Sequence, residues 1–294
     1  MNRYLIFRTD RIGDFLISAI LIKSIKLNDP KSNITIVASK KNYDYIKNFN
    51  FVDEVILLNN DLLSKIKVIS KLRKCKLYDC IIIHDNKKRS KFISFFLRFK
   101  NKITFDDIEQ YTHIELIKNI LNKLNFEFNH KSLDIFGNDS SKISEDEKYI
   151  LFHFDEKWIY KLYINKYIKI EPTEIQLTNF LESLQAKTNK KVIITTGIKT
   201  PFLLKKCLKN LNNKKIKLIE NLDFFNLEKI VLNSDLLISC HGAISHVASA
   251  FNIKQIDIID KSYKYERWTQ HFRNYDYIYR NDFILLSDQI LERL

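Results

Sequence analysis

Two short segments at opposite ends of the chain carry the residues best suited to chemistry. The first is Arg8-Thr9-Asp10-Arg11-Ile12-Gly13-Asp14-Phe15. It follows the apolar run Tyr4-Leu5-Ile6-Phe7 and precedes an amphipathic stretch from Leu16 to Leu27. That order predicts strand, tight turn and helix, with Gly13 at the turn and the Asp14 carboxylate where the helix begins. Sheets built this way bind ligands beyond the carboxyl ends of their strands, which places Asp14 at the mouth of a cleft. A carboxylate there suits general-base work. The competing job for aspartate at such a place is to cap the helix, and one residue can do both.

The second segment runs from Ser234 to Ala248, SDLLISCHGAISHVA. A buried strand ends at Cys240, the small residues after His241 let the backbone turn, and a helix starts near Ala243. The free N–H groups of that first turn, with the helix dipole, make an anion site for which a diphosphate is the natural guest. The alternative is a plain strand–helix turn with His246 packed against the sheet. Two further segments could join such a site. Phe152-His153-Phe154-Asp155-Glu156-Lys157-Trp158 sets Lys157 just after a strand, where its ammonium meets either a phosphate or water. Thr195-Thr196-Gly197 ends another strand, where hydroxyls and bare backbone line either a nucleotide pocket or a simple turn. No GxxxxGK[ST], GxGxxG or HExxH pattern occurs, so the P-loop, classical dinucleotide and zinc-protease readings lack their fingerprints.

The elements that must hold these residues alternate regularly. In the first half Asn33–Ala38, Glu54–Leu58 and Asp79–His84 read as strands, with helices near Asn42–Asn48, at Leu62–Lys74 and at His113–Leu124. Lys87–Lys100 and then Lys102–Phe105 lie before the last of these. In the second half Tyr149–Phe154, Lys191–Thr196, Ile216–Ile219, Asp235–Cys240 and Gln255–Ile259 read as strands. Helices fall at about Gln176–Thr188, Leu227–Leu232 and Ile244–Phe251, and a short one closes the chain at Leu286–Leu294. Strands alternating with helices predict parallel sheets. The polar stretch Asn138–Glu147 is the linker candidate, giving an α/β chain of two domains of similar size, 1–140 and 148–294, with a cleft between them.

Composition bounds the rest. With 294 residues, 45% hydrophobic and 29% charged, the chain has room for two domains and is globular. No apolar run approaches the roughly 20 residues of a spanning helix, and no signal-peptide pattern opens the chain, so a cytoplasmic protein is the default. Cys75, Cys80, Cys207 and Cys240 show no paired spacing and read as ordinary thiols. A net charge of +14 favours anionic partners: nucleic acid, a membrane surface or phosphorylated small molecules. It equally fits a genome-wide bias, since the chain is rich in Lys, Asn and Ile with only 4 Gly and 3 Pro. No zinc finger, RRM-like aromatic signature or basic repeat supports nucleic acid. Lys87–Lys100 sets basic residues around an aromatic face, which suits contact with an anionic membrane or a core-packing helix with a solvated start.

The two halves together resemble glycosyltransferase family 9, the ADP-heptose:lipopolysaccharide heptosyltransferase type. Arg8-x-Asp10-x-Ile12-Gly13-Asp14 is similar to that family's opening motif. Asp29-Pro30, the strand at Ile34 and Phe51-Val52-Asp53-Glu54-Val55-Ile56 match its next pattern. Leu222–Phe251 resembles its short helix, D-L-x-I strand and G-x-x-H-x-A turn.

The resemblance implies a GT-B fold of two Rossmann-like domains, with acceptor on the first and nucleotide sugar on the second. It implies inverting displacement without metal or cofactor and Asp14 as base. The acceptor is then a lipopolysaccharide or other surface glycan, and the site lies at the inner face of the cytoplasmic membrane. Lys157 matches the family's phosphate-contacting lysine, and Gly242-Ala243 its diphosphate-binding helix start. With Gly13, Thr195, Thr196, Gly197, His241 and His246 they complete the expected substrate site. Two positions depart from the pattern. His241 stands where the family carries a sugar-contacting aspartate, and Ile198-Lys199-Thr200-Pro201 replaces the stretch that brings an acidic residue to the ribose. ADP-heptose is therefore one donor among several, and a binding protein that has lost turnover is the second expectation.

Overall fold

A computed structural model describes residues 1–74, 77–105, 109–136, 144, 147–159, 162 and 166–294. Apart from 144 and 147, the expected linker 138–147 lies outside the described residues, as does Cys75. The chain groups into two compact units, Met1–Ile135 with Glu266–His271 and Phe136–Tyr265 with Phe272–Leu294. The first unit gains Glu266–His271 because Trp268 packs on His113, ring centroids 4.1 Å apart, and Thr112 Oγ1 donates to Gln270 Oε1 at 2.5 Å.

In the first unit the elements are β1 (Arg3–Arg8), α1 (Ile12–Asn28), β2 (Asn33–Ala38), α2 (Tyr43–Ile46) and β3 (Glu54–Leu57). There follow α3 (Leu62–Arg73), β4 (Tyr78–Ile83), α4 (Lys88–Phe95), β5 (Phe99–Ile103) and α5 (His113–Lys123). The sheet is parallel, in the order β3-β2-β1-β4-β5. β1 and β4 are buried along nearly their whole length, as their unbroken apolar runs require when helices cover both faces. One face carries α3 and α4, whose Val68, Leu72 and Ile93, with Leu97 just past α4, share a core with Leu5, Phe7, Ile81 and Ile83. α1 differs from its amphipathic reading: its buried residues run Phe15 to Ile22 without a break, then Ser24 and Ile25. The sheet borders it on one side and α5 on another, so it has little solvent face. β5 also starts earlier than expected, at Phe99, where Phe99 pairs with Tyr78.

The second unit contains β6 (Tyr149–His153), α6 (Glu174–Thr188), β7 (Val192–Thr195), α7 (Phe202–Asn210), β8 (Ile216–Ile219) and α8 (Phe224–Leu232). It continues with β9 (Ser234–Cys240), α9 (Ala243–Phe251), β10 (Lys254–Ile259), β11 (Tyr275–Tyr279) and α11 (Phe283–Glu292). Between β10 and β11 the four-residue α10 (Glu266–Thr269) belongs to the first unit. The second sheet is again parallel, in the order β11-β10-β9-β6-β7-β8. Its core is aromatic around Phe152, Phe154, Trp158, Phe180 and Phe283. Sequence periodicity anticipated neither α7 nor β11. α7 fully buries only Leu204 and Cys207, and edge strand β11 fully buries only Ile278, so neither offers a strong apolar signal.

The scarcity of glycine has a visible consequence. Six asparagines, at 86, 125, 189, 221, 252 and 274, adopt left-handed backbone with φ between 46° and 59°. Asparagine tolerates that region better than other side-chain-bearing residues because its amide can bond locally. Asn189 and Asn252 close α6 and α9 in this way. Among the described residues no helix is long and apolar enough to cross a membrane, and Cys80, Cys207 and Cys240 are buried free thiols.

Candidate functional site

In each sheet the strand order reverses direction beside the first strand, between β1 and β4 and between β6 and β9. The loops leaving the carboxyl ends of such a strand pair diverge, which opens room for a ligand. The residues singled out by type and spacing gather at these two places.

In the first unit β1 ends in a turn that is held from its neighbours. Asp85, after β4, accepts from Thr9 Oγ1 at 2.5 Å and Ser90 Oγ at 2.8 Å. Asn42 Nδ2 donates to the Arg8 carbonyl at 2.9 Å, and Ser39 Oγ to the Asp10 carbonyl at 3.1 Å. Arg8 points inward, donating from Nε to Ser18 Oγ at 2.6 Å and from Nη1 to Asp10 at 3.1 Å. Burial pulls its guanidinium below the ordinary value, and the Asp14 and Asp85 carboxylates oppose this. Asp14 is not the cap residue. Arg11 occupies that position in extended backbone, and Asp14, two residues into α1, accepts the Arg11 N–H at 3.2 Å. Gly13 likewise lies within the first helical turn.

Asp14 lines an open cavity of about 870 Å³ with Asp10, Arg11, Lys40, Lys41, Lys87 and Arg89. Five cations face two carboxylates, so the cavity attracts anions. Lys87 contacts the Asp10 carboxylate, yet burial beside Arg89 and Arg8 pushes its ammonium down to about 8. Arg89 Nη2 donates to the Thr9 carbonyl at 2.9 Å, which fixes the guanidinium at the rim.

In the second unit the geometry centres on Lys157. Its backbone N–H donates to Asp155 Oδ1 at 3.0 Å, and its ammonium contacts the other oxygen of the same carboxylate. Asp155 is buried, at 4% exposure, and Lys157 is half-buried, at 16%. Burial would raise the Asp155 carboxyl, but the Lys157 ammonium holds it below its ordinary value. Burial would lower the lysine, and the carboxylate carries it above the usual range. The ammonium lies against Gly242, the residue that starts α9. A Cβ there would sit 2.8 Å from Lys157 Nζ, so glycine leaves the lysine its place. A cation beside a helix N-terminus faces the like-signed end of the dipole. The ammonium, fixed by the Asp155 carboxylate, and the first turn of α9 thus bring a cation and a helix N-terminus to one point.

The other expected residues surround this point. His241 Nδ1 bonds Asp257 Oδ2 at 2.5 Å, and Ser245 Oγ donates to Asp257 Oδ1 at 2.8 Å. His246 is buried on α9 with its ring edge-on to Phe272, 5.0 Å between centroids. Thr195 is fully buried, its hydroxyl bonded to His153 Nδ1 at 2.9 Å, and Thr196 is buried as well. Gly197 is the first half-buried residue of that strand end and lies against the Glu156 carboxylate. His153 is driven down to about 4 by burial, with Asp155 opposing, so its ring is neutral at pH 7. Ile198–Pro201 leads into α7, with Pro201 at its start. Among the described residues no cluster of three His, Cys, Asp or Glu side chains could hold a metal ion.

Three residues here escaped sequence reasoning. Asp155 lies two positions before Lys157 and reads there as part of a charge run. Asp257 is fully buried within β10, and a lone carboxylate inside the run Gln255–Ile259 was the available signal. Arg280, just past β11, donates to the Lys157 carbonyl at 2.8 Å and lies over the Tyr167 ring, so it braces the backbone that carries the lysine. Nothing local in the sequence marks it.

Two parallel sheets, each with helices returning its strands, give the chain the GT-B fold. Among solved structures it is similar to the Escherichia coli heptosyltransferase WaaC with ADP, at TM-score 0.74 and 12% identity, over 99% of this chain and 100% of that one. It is similar to E. coli ADP-heptose lps heptosyltransferase II at TM-score 0.69 and 14% identity, over 99% and 97%. A third is the glycosyl transferase family 9 protein of Veillonella parvula, at TM-score 0.73 and 12% identity, over 99% and 88%. The fold implied by the sequence motifs is the fold found. No protein-family model and no curated protein sequence matches the chain.

Proposed function

We propose that the chain is a glycosyltransferase that moves a sugar from a nucleoside-diphosphate donor to an anionic glycan or glycolipid acceptor. One observation carries the reading: the Lys157 ammonium, backed by buried Asp155, lies at the N-terminus of α9 where Gly242 makes room for it. Preorganised positive charge of this kind stabilises a diphosphate as it departs. Asp14 takes the proton from the acceptor hydroxyl while that oxygen attacks the anomeric carbon. The bond from that carbon to the diphosphate oxygen breaks as the new one forms, so configuration inverts. The five cations around Asp14 favour an acceptor bearing phosphate or carboxylate. Heptose is one candidate sugar, and a lipopolysaccharide or other surface glycan is the candidate acceptor.

A thermal-shift screen against ADP-, UDP-, GDP- and dTDP-sugars tests the donor side. A ligand at a hundred times its Kd adds about 2.7 kcal/mol of stability. Release of nucleoside diphosphate from the hit, with candidate acceptors, tests turnover. Asp14→Asn should lower transfer by about 10²- to 10⁴-fold and keep donor affinity within roughly twofold. Wild-type turnover in Asp14→Asn refutes the assigned base. Donor binding with no release across the acceptors tried favours a binding protein, a reading to which His241 in place of an aspartate lends support.

A further inference from the structure

α3 and α4 share one face of the first sheet and one core, and both expose large apolar side chains on the side away from it. In α4 and the two residues after it, Ile93 and Leu97 are buried, whereas Phe92, Phe95 and Phe96 are 49%, 80% and 42% exposed. The three rings are already packed on one another. Phe92 and Phe96 lie 5.1 Å apart, and Phe95 and Phe96 lie 5.5 Å apart, both edge-on. Leu62, Leu63 and Ile66 in the first turns of α3 are exposed by more than half. None of these side chains contributes to the core, and water around them is unfavourable.

The charge of the same two helices is one-sided. α3 holds four Lys or Arg and α4 three, and neither contains an Asp or Glu. Cations on long aliphatic stems beside exposed aromatic rings match a surface that is anionic outside and apolar just beneath. A protein partner would need matching acidic side chains around a pocket for the rings, whereas a bilayer supplies both layers at any position. We infer that the outer face of α3 and α4 docks on an anionic lipid bilayer.

The position suits access to the cavity that contains Asp14. Arg89, at its rim, and Phe95 belong to one helix and are separated by about 9 Å along its axis. The inference is read with vesicles and needs no turnover, so failure of the transferase reading leaves it standing.

The test is co-sedimentation of the full chain with vesicles of phosphatidylcholine mixed with phosphatidylglycerol, and with phosphatidylcholine alone. Binding to the mixed vesicles should be at least about tenfold tighter, and should weaken with added salt. Phe92→Ser with Phe95→Ser should weaken it by about tenfold or more. Lys88→Gln with Lys91→Gln should weaken it roughly tenfold through charge alone. Because all four side chains are outside the core, thermal melting of both variants should match the wild type. Equal binding to both vesicle types overturns the inference, as does undiminished binding by the charge variant, which does not touch the rings. Concentration-dependent self-association through the rings, with no vesicle binding, assigns the face to a second copy and overturns it too.

Discussion

Replacing Lys157 with methionine leaves the Asp155 carboxylate buried without its main charge partner. Two opposite charges about 3 Å apart, at an effective dielectric of about 20, attract by roughly 5 kcal/mol. Measured costs of breaking such buried pairs are about 3–5 kcal/mol. The loss has a ceiling, because the stranded carboxyl can take a proton instead. From an ordinary value of about 3.9, that costs roughly 4 kcal/mol at pH 7 and about 1.5 kcal/mol at pH 5. The backbone N–H of residue 157 still donates to Oδ1, which trims the penalty further. Lys157→Met should therefore cost about 3–4 kcal/mol at pH 7 and under about 2 kcal/mol at pH 5. Asp155→Asn added to Lys157→Met should recover most of it.

Urea unfolding reads this directly. Trp158 is fully buried and stacks on Phe154 with centroids 5.4 Å apart, and it is one of two tryptophans, so a Trp268→Phe background makes it the sole reporter. A Lys157→Met penalty under about 1 kcal/mol at pH 7 refutes the reasoning. A penalty that does not shrink at pH 5 refutes it as well. Either result would mean that the lysine is not held, and the positive site at α9 not preorganised.

Two further outcomes follow from the same unit. Gly242→Ala places a Cβ 2.8 Å from Lys157 Nζ, so the ammonium must retreat by a few tenths of an ångström. Stability should change by less than about 1 kcal/mol, while calorimetric affinity for the nucleotide sugar found by screening falls about tenfold, and retained affinity counts against the diphosphate cradle. His153, held down to about 4, leaves the unfolded chain binding its proton near 6.5. Its contribution is thus complete above 6.5 and lost as pH falls toward 4, about 2 kcal/mol between pH 7 and 5. His153→Asn should flatten that part of the stability curve, and an unchanged slope assigns the acid sensitivity elsewhere.

How much of this was legible beforehand depends on how local each signal is. Tyr4–Phe7 and Asp235–Cys240 are apolar runs that must be buried on both faces, so strand, turn and helix followed from neighbours in the chain. The turn at Gly242 and the carboxylate at Asp14 were legible for the same reason. α7 and β11 were not, because each buries so little that its apolar pattern is faint. The segment Lys87–Lys100 by itself fits both a membrane-facing and a core-packing helix, since a list of phenylalanines does not say which of them face the core.

Sequence by itself determined the alternation of strands and helices, the parallel sheets it compels, and which residues leave the carboxyl ends of the strands. Backbone periodicity and turn chemistry act over a few residues, so they are written locally. Tertiary structure alone decided what those residues meet. β10 pairs with β9, with Asp257 opposite Ser239, and this brings the carboxylate to His241 from the neighbouring strand. β11 at the sheet edge ends at Tyr279, and the next residue, Arg280, reaches the Lys157 carbonyl. Strand order is a global outcome of packing, and no window of sequence contains it. The pairing of Asp155 with Lys157 shows the same division at close range. Their spacing was plain, but only the burial of Asp155 and the approach of α9 turned a charge run into an ammonium fixed at a helix N-terminus.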